Sequence, residues 1–392
     1  MSRGWVSAWA LATAILAGAT YYSAATVTHG FIAYYAAARL LTHGFLGPGA
    51  YDDVWFGAFL QQLTGTSIRD IFTPNPPSMA LMALPVAAFE HGFARALWLS
   101  GSVVLFAAAV FALASERGKD GTVPVAALVL AMLAPAVFTN IRIGQGYLII
   151  FALLGAAVVW LSRQASIAGG ALLGFALGLK LSGTALVLVL AAERRWRALA
   201  AAGAAALAPV LAVTPFIDKT LWFQYPDIVR EFVQRPAGSV TAYQTTLSLF
   251  RRICVADPEW NPSPAASCEP LAFVAPYALV GLAALLTLLF VHRSPHARAG
   301  LAAGVALTLL ALPAAAEAHF VLLGIPLLLV PMKTAEIAAI ALLLVVPLEI
   351  TAERFTAGWS VLLAYPRLYA AWLLWAVCLR QLITSSLHSK AQ

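Results

Sequence analysis

Few side chains in this sequence can do chemistry, and they are of two kinds. His29, Asp52, Asp53 and Asp70, joined far downstream by Glu317 and His319, bring imidazole and carboxylate groups that can take a proton. Histidine does so nearest neutrality, with a reference pKa of about 6.5. Arg142, Lys180, Arg251 and Arg252 are cations suited to an anion such as a phosphate, arginine through paired donors and lysine as a compact point charge. Gln145 adds an uncharged donor and acceptor. Glu317 and His319 are two residues apart and do not share a helical face. The chain has neither the ligand spacing of a zinc site, nor an Asp-x-Asp pair, nor a Gly-x-x-x-x-Gly-Lys phosphate loop, so no metal or other cofactor is expected. Each residue also has a structural use. Asp52 or Asp53 can cap the helix that follows, His29 can sit at an interface, Lys180 can snorkel to headgroups, and Arg251 with Arg252 can meet lipid phosphates.

The elements that hold these residues belong to a membrane. Of 392 residues, 61% are hydrophobic and 10% charged, against roughly 25% charged in soluble domains. A bilayer-spanning helix needs about 20 apolar residues, and apolar runs fill nearly the whole chain between short polar breaks. The fold class is therefore an all-α polytopic membrane protein, one integral domain over residues 1–392 with about eleven transmembrane helices. A net charge of +7 could point to nucleic acid in a soluble protein. Here the basic residues sit in short loops, Arg117 with Lys119, Arg163, Arg194 with Arg195 and Arg197, Arg293 with Arg298, and Lys333, as cytoplasmic loops carry them. The partners are membrane lipids, not nucleic acid. Residues 5–27 could be a cleaved signal, but their length and the aromatic pair Tyr21 and Tyr22 favour a retained first helix.

An inside amino terminus puts residues 28–92 in a first extracytoplasmic loop, where residues 34–41 and 55–63 read as short interfacial helices. Residues 79–89, interrupted by Pro85, are short for a span and read as re-entrant. Were they to cross, the Arg194, Arg195 and Arg197 cluster would lie outside, against the positive-inside rule. The potentially chemical residues then share the extracytoplasmic side. Lys180 interrupts residues 172–190, too short for two comfortable spans, and broken helices of this kind surround polar cavities. A second large outer loop covers residues 214–270. It holds Cys254 and Cys268, either a disulfide in an oxidising compartment or two free thiols.

The order of several short motifs resembles glycosyltransferase family 87. They are Gly30-Phe31-Ile32-Ala33-Tyr34-Tyr35-Ala36-Ala37-Ala38-Arg39, Gly49-Ala50-Tyr51-Asp52, Asn75-Pro76-Pro77, Ile143-Gly144-Gln145-Gly146, the glycine-rich run from Gly170 to Lys180, and His319 at the head of a late helix. The resemblance covers most of the chain, more clearly in its first half. It implies the GT-C superfold, a polyprenyl-phosphate sugar donor such as a mannose carrier, a lipid or glycan acceptor reached from outside, and an aspartate base in the first outer loop. Relatives read Asp-Phe where this chain reads Gly30-Phe31.

Inverting transfer needs one base beside the acceptor hydroxyl and cations for the departing phosphate. The candidates for the base are His29, Asp52 and Asp53, with Asp70 a weaker one. Those for donor phosphate or sugar are Arg142, Gln145, Lys180, Arg251, Arg252 and His319. His29, Asp53, Arg142, Lys180 and His319 are expected to line one cavity. If the vacancy at position 30 limits the reaction, Gly30→Asp is expected to raise transfer. The protein is expected in the cell inner membrane or plasma membrane with its active face extracytoplasmic. An inactive homologue that binds lipid-phosphate sugars, and a transporter, are the alternative readings.

Overall fold

The computed structural model describes residues 3–116, 119–294 and 298–389. Arg117, among the basic loop residues, lies outside the described residues. Within them every regular element is helical, and strand-like pairing is confined to the isolated bridges Leu46–Ile217 and Asp257–Asn261. The chain runs through α1 (Arg3–Ala24), α2 (Phe31–Thr42), α3 (Asp53–Thr64), α4 (Ala80–Ala83), α5 (His91–Ser115), α6 (Lys119–Met132) and α7 (Ala134–Ile143). It continues through α8 (Tyr147–Ser162), α9 (Ser166–Lys180), α10 (Thr184–Ala192), α11 (Trp196–Val213), α12 (Thr220–Gln234) and α13 (Thr246–Cys254). The last helices are α14 (Glu269–Arg293), α15 (Arg298–Leu310), α16 (Gly324–Leu329), α17 (Thr334–Val345), α18 (Leu348–Arg354) and α19 (Pro366–Ser389).

Among the described residues, four helical segments are long and apolar enough to cross a membrane: α5, Trp196–Phe216, α14 and Pro366–Leu387. Two further pairs qualify only when joined across bends, Pro124–Met132 with α7 at 65° and α17 with α18 at 71°, which makes six. The protein is a membrane protein. Among the described residues these six are fewer than the about eleven spans expected from the apolar runs, because α8, α9 and α15 are apolar helices shorter than a full span; residues 79–89, expected to be re-entrant, form no straight helix. Those residues instead fold as 3₁₀ turns either side of α4, with Pro85 inside the second, and Ser78 anchors the segment by donating to the Gly178 carbonyl at 2.5 Å. α2 also differs from its expected interfacial setting. Ten of its twelve residues are buried, and a helix apolar all round belongs inside protein.

The packing that matters most for the site joins α9 to α11. Gly170, Gly174 and Gly178 recur every fourth residue and so share one face of α9. A Cβ on them would lie 2.2, 2.0 and 2.4 Å from the carbonyl oxygens of Ala198, Ala202 and Ala206. The backbones are in contact, as small residues allow between membrane helices, and this sets the position of Lys180 at the end of α9. At the opposite end of that helix the basic loops converge. Arg163 and Arg298 both pair with Glu116, at 2.7 and 2.8 Å, and Arg195 donates to the Leu161 carbonyl at 2.8 Å.

Buried apolar side chains form two main clusters, one from residues 31–99 with Val213, Ile217 and Leu221, the other from residues 106–382. Cys254 and Cys268 form a disulfide, which decides between the two readings of that pair.

Candidate functional site

A cavity of about 340 Å³ opens where the two clusters meet, bringing Tyr34 and Asn75 from the first part of the chain against Tyr147, Lys180 and His319 from the second. It is built on a backbone contact between two glycine turns. Gly30, with φ +98°, starts α2, and a Cβ there would stand 2.4 Å from the Ile143 carbonyl oxygen. Gly144, with φ +70°, ends α7, and a Cβ there would stand 2.5 Å from the Phe31 Cβ. Both conformations lie in the region that glycine alone enters without cost. Trp98 secures the second turn by donating its indole N–H to the Gly144 carbonyl at 2.9 Å.

These turns deliver Tyr34 and Gln145 to each other, the Tyr34 hydroxyl donating to the Gln145 side-chain oxygen. Lys180 completes the chain. Its ammonium donates to the Tyr34 hydroxyl at 2.8 Å and to the Asn75 side-chain oxygen at 3.0 Å, and stands 4.9 and 4.6 Å from the Tyr34 and Tyr147 ring centres. It makes no ion pair within 4 Å among the described residues, so part of its charge and donor capacity is open to the cavity. The His319 ring lies 4.0 Å from that of Tyr147, and Asn140 of α7 holds the adjoining turn by donating to the Ala318 carbonyl at 2.8 Å. α12 lays Tyr225, Val229 and Phe232 along the cavity, with the Tyr225 hydroxyl bonded to the Pro74 carbonyl at 2.7 Å.

The carboxylate on this cavity is Asp70. One oxygen accepts the Gly30 backbone N–H at 2.5 Å and the other accepts that of Ile71 at 2.9 Å. Burial pushes its pKa above the ordinary aspartate value, and the backbone N–H groups of Gly30, Ile71 and Ala33 and the neighbouring His29 act against that shift.

Of the residues singled out from the sequence, Gln145, Lys180 and His319 line this cavity together. Asp70, the weaker candidate for the base, lines it too, and the other candidates lie elsewhere. His29 and Asp53 border a separate outer groove that meets the cavity at Asp70, so the expected grouping of five residues around one cavity is not met. Asp52 caps α3, accepting from the Val54 and Trp55 amides at 2.9 and 2.8 Å, and Asp53 pairs with Arg235 at 2.9 Å. Arg142 has an exposed side chain, while its carbonyl is held by Arg95 at 2.7 Å. Arg251 donates to the Val233 carbonyl near the end of α12 at 2.6 Å, and Arg252 to the Thr356 and Trp260 carbonyls, so both guanidinium groups are taken up by backbone. Sequence order undervalued Asp70 and passed over Tyr147 as a partner for Lys180. Tyr147 directly follows the Gly144-Gln145-Gly146 turn, which is the signal that could have found it.

No curated protein and no solved structure matches the chain. Residues 72–313, more than half of the sequence, match glycosyltransferase family 87. The match takes in Asn75, Gln145, Tyr147 and Lys180, four of the residues that the fold gathers around the cavity. The chain thus belongs to glycosyltransferase family 87 and is a membrane glycosyltransferase.

Proposed function

We propose that the protein transfers a mannose-like sugar from a polyprenyl-phosphate donor to a lipid or glycan acceptor on the extracytoplasmic face of the membrane. The observation that carries the reading is Lys180, a lysine at the end of an apolar helix, held by neutral partners and aromatic faces and directed at a cavity. A cation held this way in a membrane protein calls for an anion, and a lipid phosphate supplies one at that depth. As the bond from the sugar to the phosphate breaks, charge builds on the leaving oxygen, and Lys180 is placed to stabilise it more than the ground state. Gln145 and His319 hold the sugar. No metal takes part in this reading.

The outward orientation draws support from both ends of α9. Its first turn adjoins the basic loops, which belong inside, and its last residue reaches the cavity. The Cys254–Cys268 disulfide belongs to an oxidising compartment. We also take the shorter apolar helices as crossing the thickness of the protein, giving the GT-C-like bundle of about eleven spans in a single domain.

The test is transfer of label from radiolabelled polyprenyl-phosphate mannose to endogenous acceptors in membranes holding the wild type or Lys180→Met. Losing one charge-assisted contact to the leaving phosphate costs about 1.5–3 kcal/mol, roughly a ten- to hundred-fold fall in rate. Lys180→Met at the wild-type rate, with equal protein abundance, would remove the phosphate-binding role.

A further inference from the structure

Position 30 is a glycine, yet a carboxylate stands at its backbone nitrogen. Asp70, forty residues along the chain, places one oxygen 2.5 Å from the Gly30 nitrogen and the other 2.9 Å from that of Ile71. The glycine and the distant aspartate form one unit, since a side chain at position 30 would strike the Ile143 carbonyl. Asp70 also forms part of two walls. On one side is the cavity with Lys180, and on the other a groove lined by His29, Asp53, Gln61, Ser67 and Arg69. The other acidic groups of the sequence reading are engaged: Asp52 caps α3, Asp53 pairs with Arg235, and Glu317 takes the Arg367 guanidinium at 2.9 and 3.0 Å.

We infer that Asp70 is the catalytic base of this transferase, and that the groove on its far side receives the hydroxyl of a polyhydroxylated acceptor. This rests on the reading of Lys180 as the anchor for a lipid-phosphate donor. The acceptor oxygen attacks the anomeric carbon while its proton passes to the Asp70 carboxylate. The bond from the anomeric carbon to the phosphate oxygen breaks, and the lipid phosphate leaves with the electron pair against Lys180. A carboxylate has about four acceptor sites, and the backbone N–H groups that hold Asp70 leave room for the proton without release of its anchor. The polar side chains of the groove offer donors and acceptors to sugar hydroxyls, which an alkyl chain would not use.

The experiment follows label from polyprenyl-phosphate mannose into endogenous acceptors, beside direct binding of labelled polyprenyl phosphate to the purified protein. Asp70→Asn should lower transfer by about a hundredfold or more, the typical contribution of a general base, and bind polyprenyl phosphate within about threefold of the wild type. Asp70→Glu should keep measurable transfer with a displaced acid limb in its pH profile, a signature that a merely structural carboxylate would not give. Ser67→Trp, which fills the groove, should lower transfer and leave polyprenyl-phosphate binding intact. Asp70→Asn transferring within about threefold of an active wild type overturns the inference alone, as does Asp70→Glu with the wild-type pH profile. A wild type that transfers no label from any polyprenyl-phosphate sugar overturns the donor reading and this inference together.

Discussion

Restoring an aspartate at position 30 looks, from the sequence, like a repair, and the structure makes it a lesion. Gly30 holds φ +98° and ψ −88°, where a side chain costs about 1–3 kcal/mol of backbone strain. Its Cβ would stand 2.4 Å from the Ile143 carbonyl oxygen, 3.2 Å from the carbon behind it and 3.4 Å from the Gln145 side-chain Nε2. Backbone cannot rotate aside as a flexible side chain can. Ordinary contact therefore needs the turn at Gly144 and Gln145 to retreat by about 1 Å, a displacement that typically costs about a hundredfold in rate when it reaches reacting groups. The route to them is short, because Gln145 bonds Tyr34 and Tyr34 bonds Lys180. Gly30→Asp adds a second carboxylate beside Asp70, and like charges disfavour the ionised base. Gly30→Ala and Gly30→Asp are both expected to lose about a hundredfold in transfer, measured with labelled polyprenyl-phosphate mannose at matched abundance. Higher transfer in Gly30→Asp than in the wild type would refute this reasoning, and would mean that the position is simply vacant.

Gly174→Val should prevent stable packing of α9 on α11, because its Cβ would stand 2.0 Å from the Ala202 carbonyl oxygen, whereas Gly203→Ala, with nothing within 4 Å, should be neutral or stabilising. Monodispersity in detergent separates the two outcomes. Acid should silence transfer at a pH above the ordinary aspartate value, since Asp70 must be ionised to act and burial raises its pKa. The stability term has the opposite sign: the contribution of Asp70 is full below its unfolded pKa and is lost as pH rises through the folded value. His29, Tyr34 and Lys180 are the titratable neighbours to vary when this limb is assigned, and a flat acid profile down to the ordinary carboxylate range would contradict it. Breaking the disulfide with paired Cys254→Ser and Cys268→Ser should cost about 3 kcal/mol, as for a closed loop of about 15 residues. Faster proteolysis between residues 254 and 268 is the readout, and unchanged resistance would count against a stabilising link.

The sequence by itself determined the solvent, the helical class and the ordered motifs, because these depend on composition and on neighbours along the chain. Apolar runs can satisfy their backbone in a bilayer only by hydrogen-bonding internally, so helices followed without knowledge of any contact. The glycine-rich run ending at Lys180 and the Gly144-Gln145-Gly146 turn were likewise legible, since close backbone approach demands glycine wherever the partner lies. Side-chain direction was not legible. Arg142 is only three residues from Gln145, yet its side chain is exposed while Gln145 faces the cavity, because the helix ends in a left-handed turn between them. Arg251 and Arg252 looked free to bind phosphate until the fold brought the carbonyls of Val233, Trp260 and Thr356 to them. The same holds for Asp70. Nothing near it in sequence marks it apart from Asp52 or Asp53, and it gains its place only when residues forty apart share a hydrogen bond at the wall of the cavity. Which acid caps a helix, which pairs with an arginine and which faces the substrate space depends on long-range packing, and that information exists only in the folded chain.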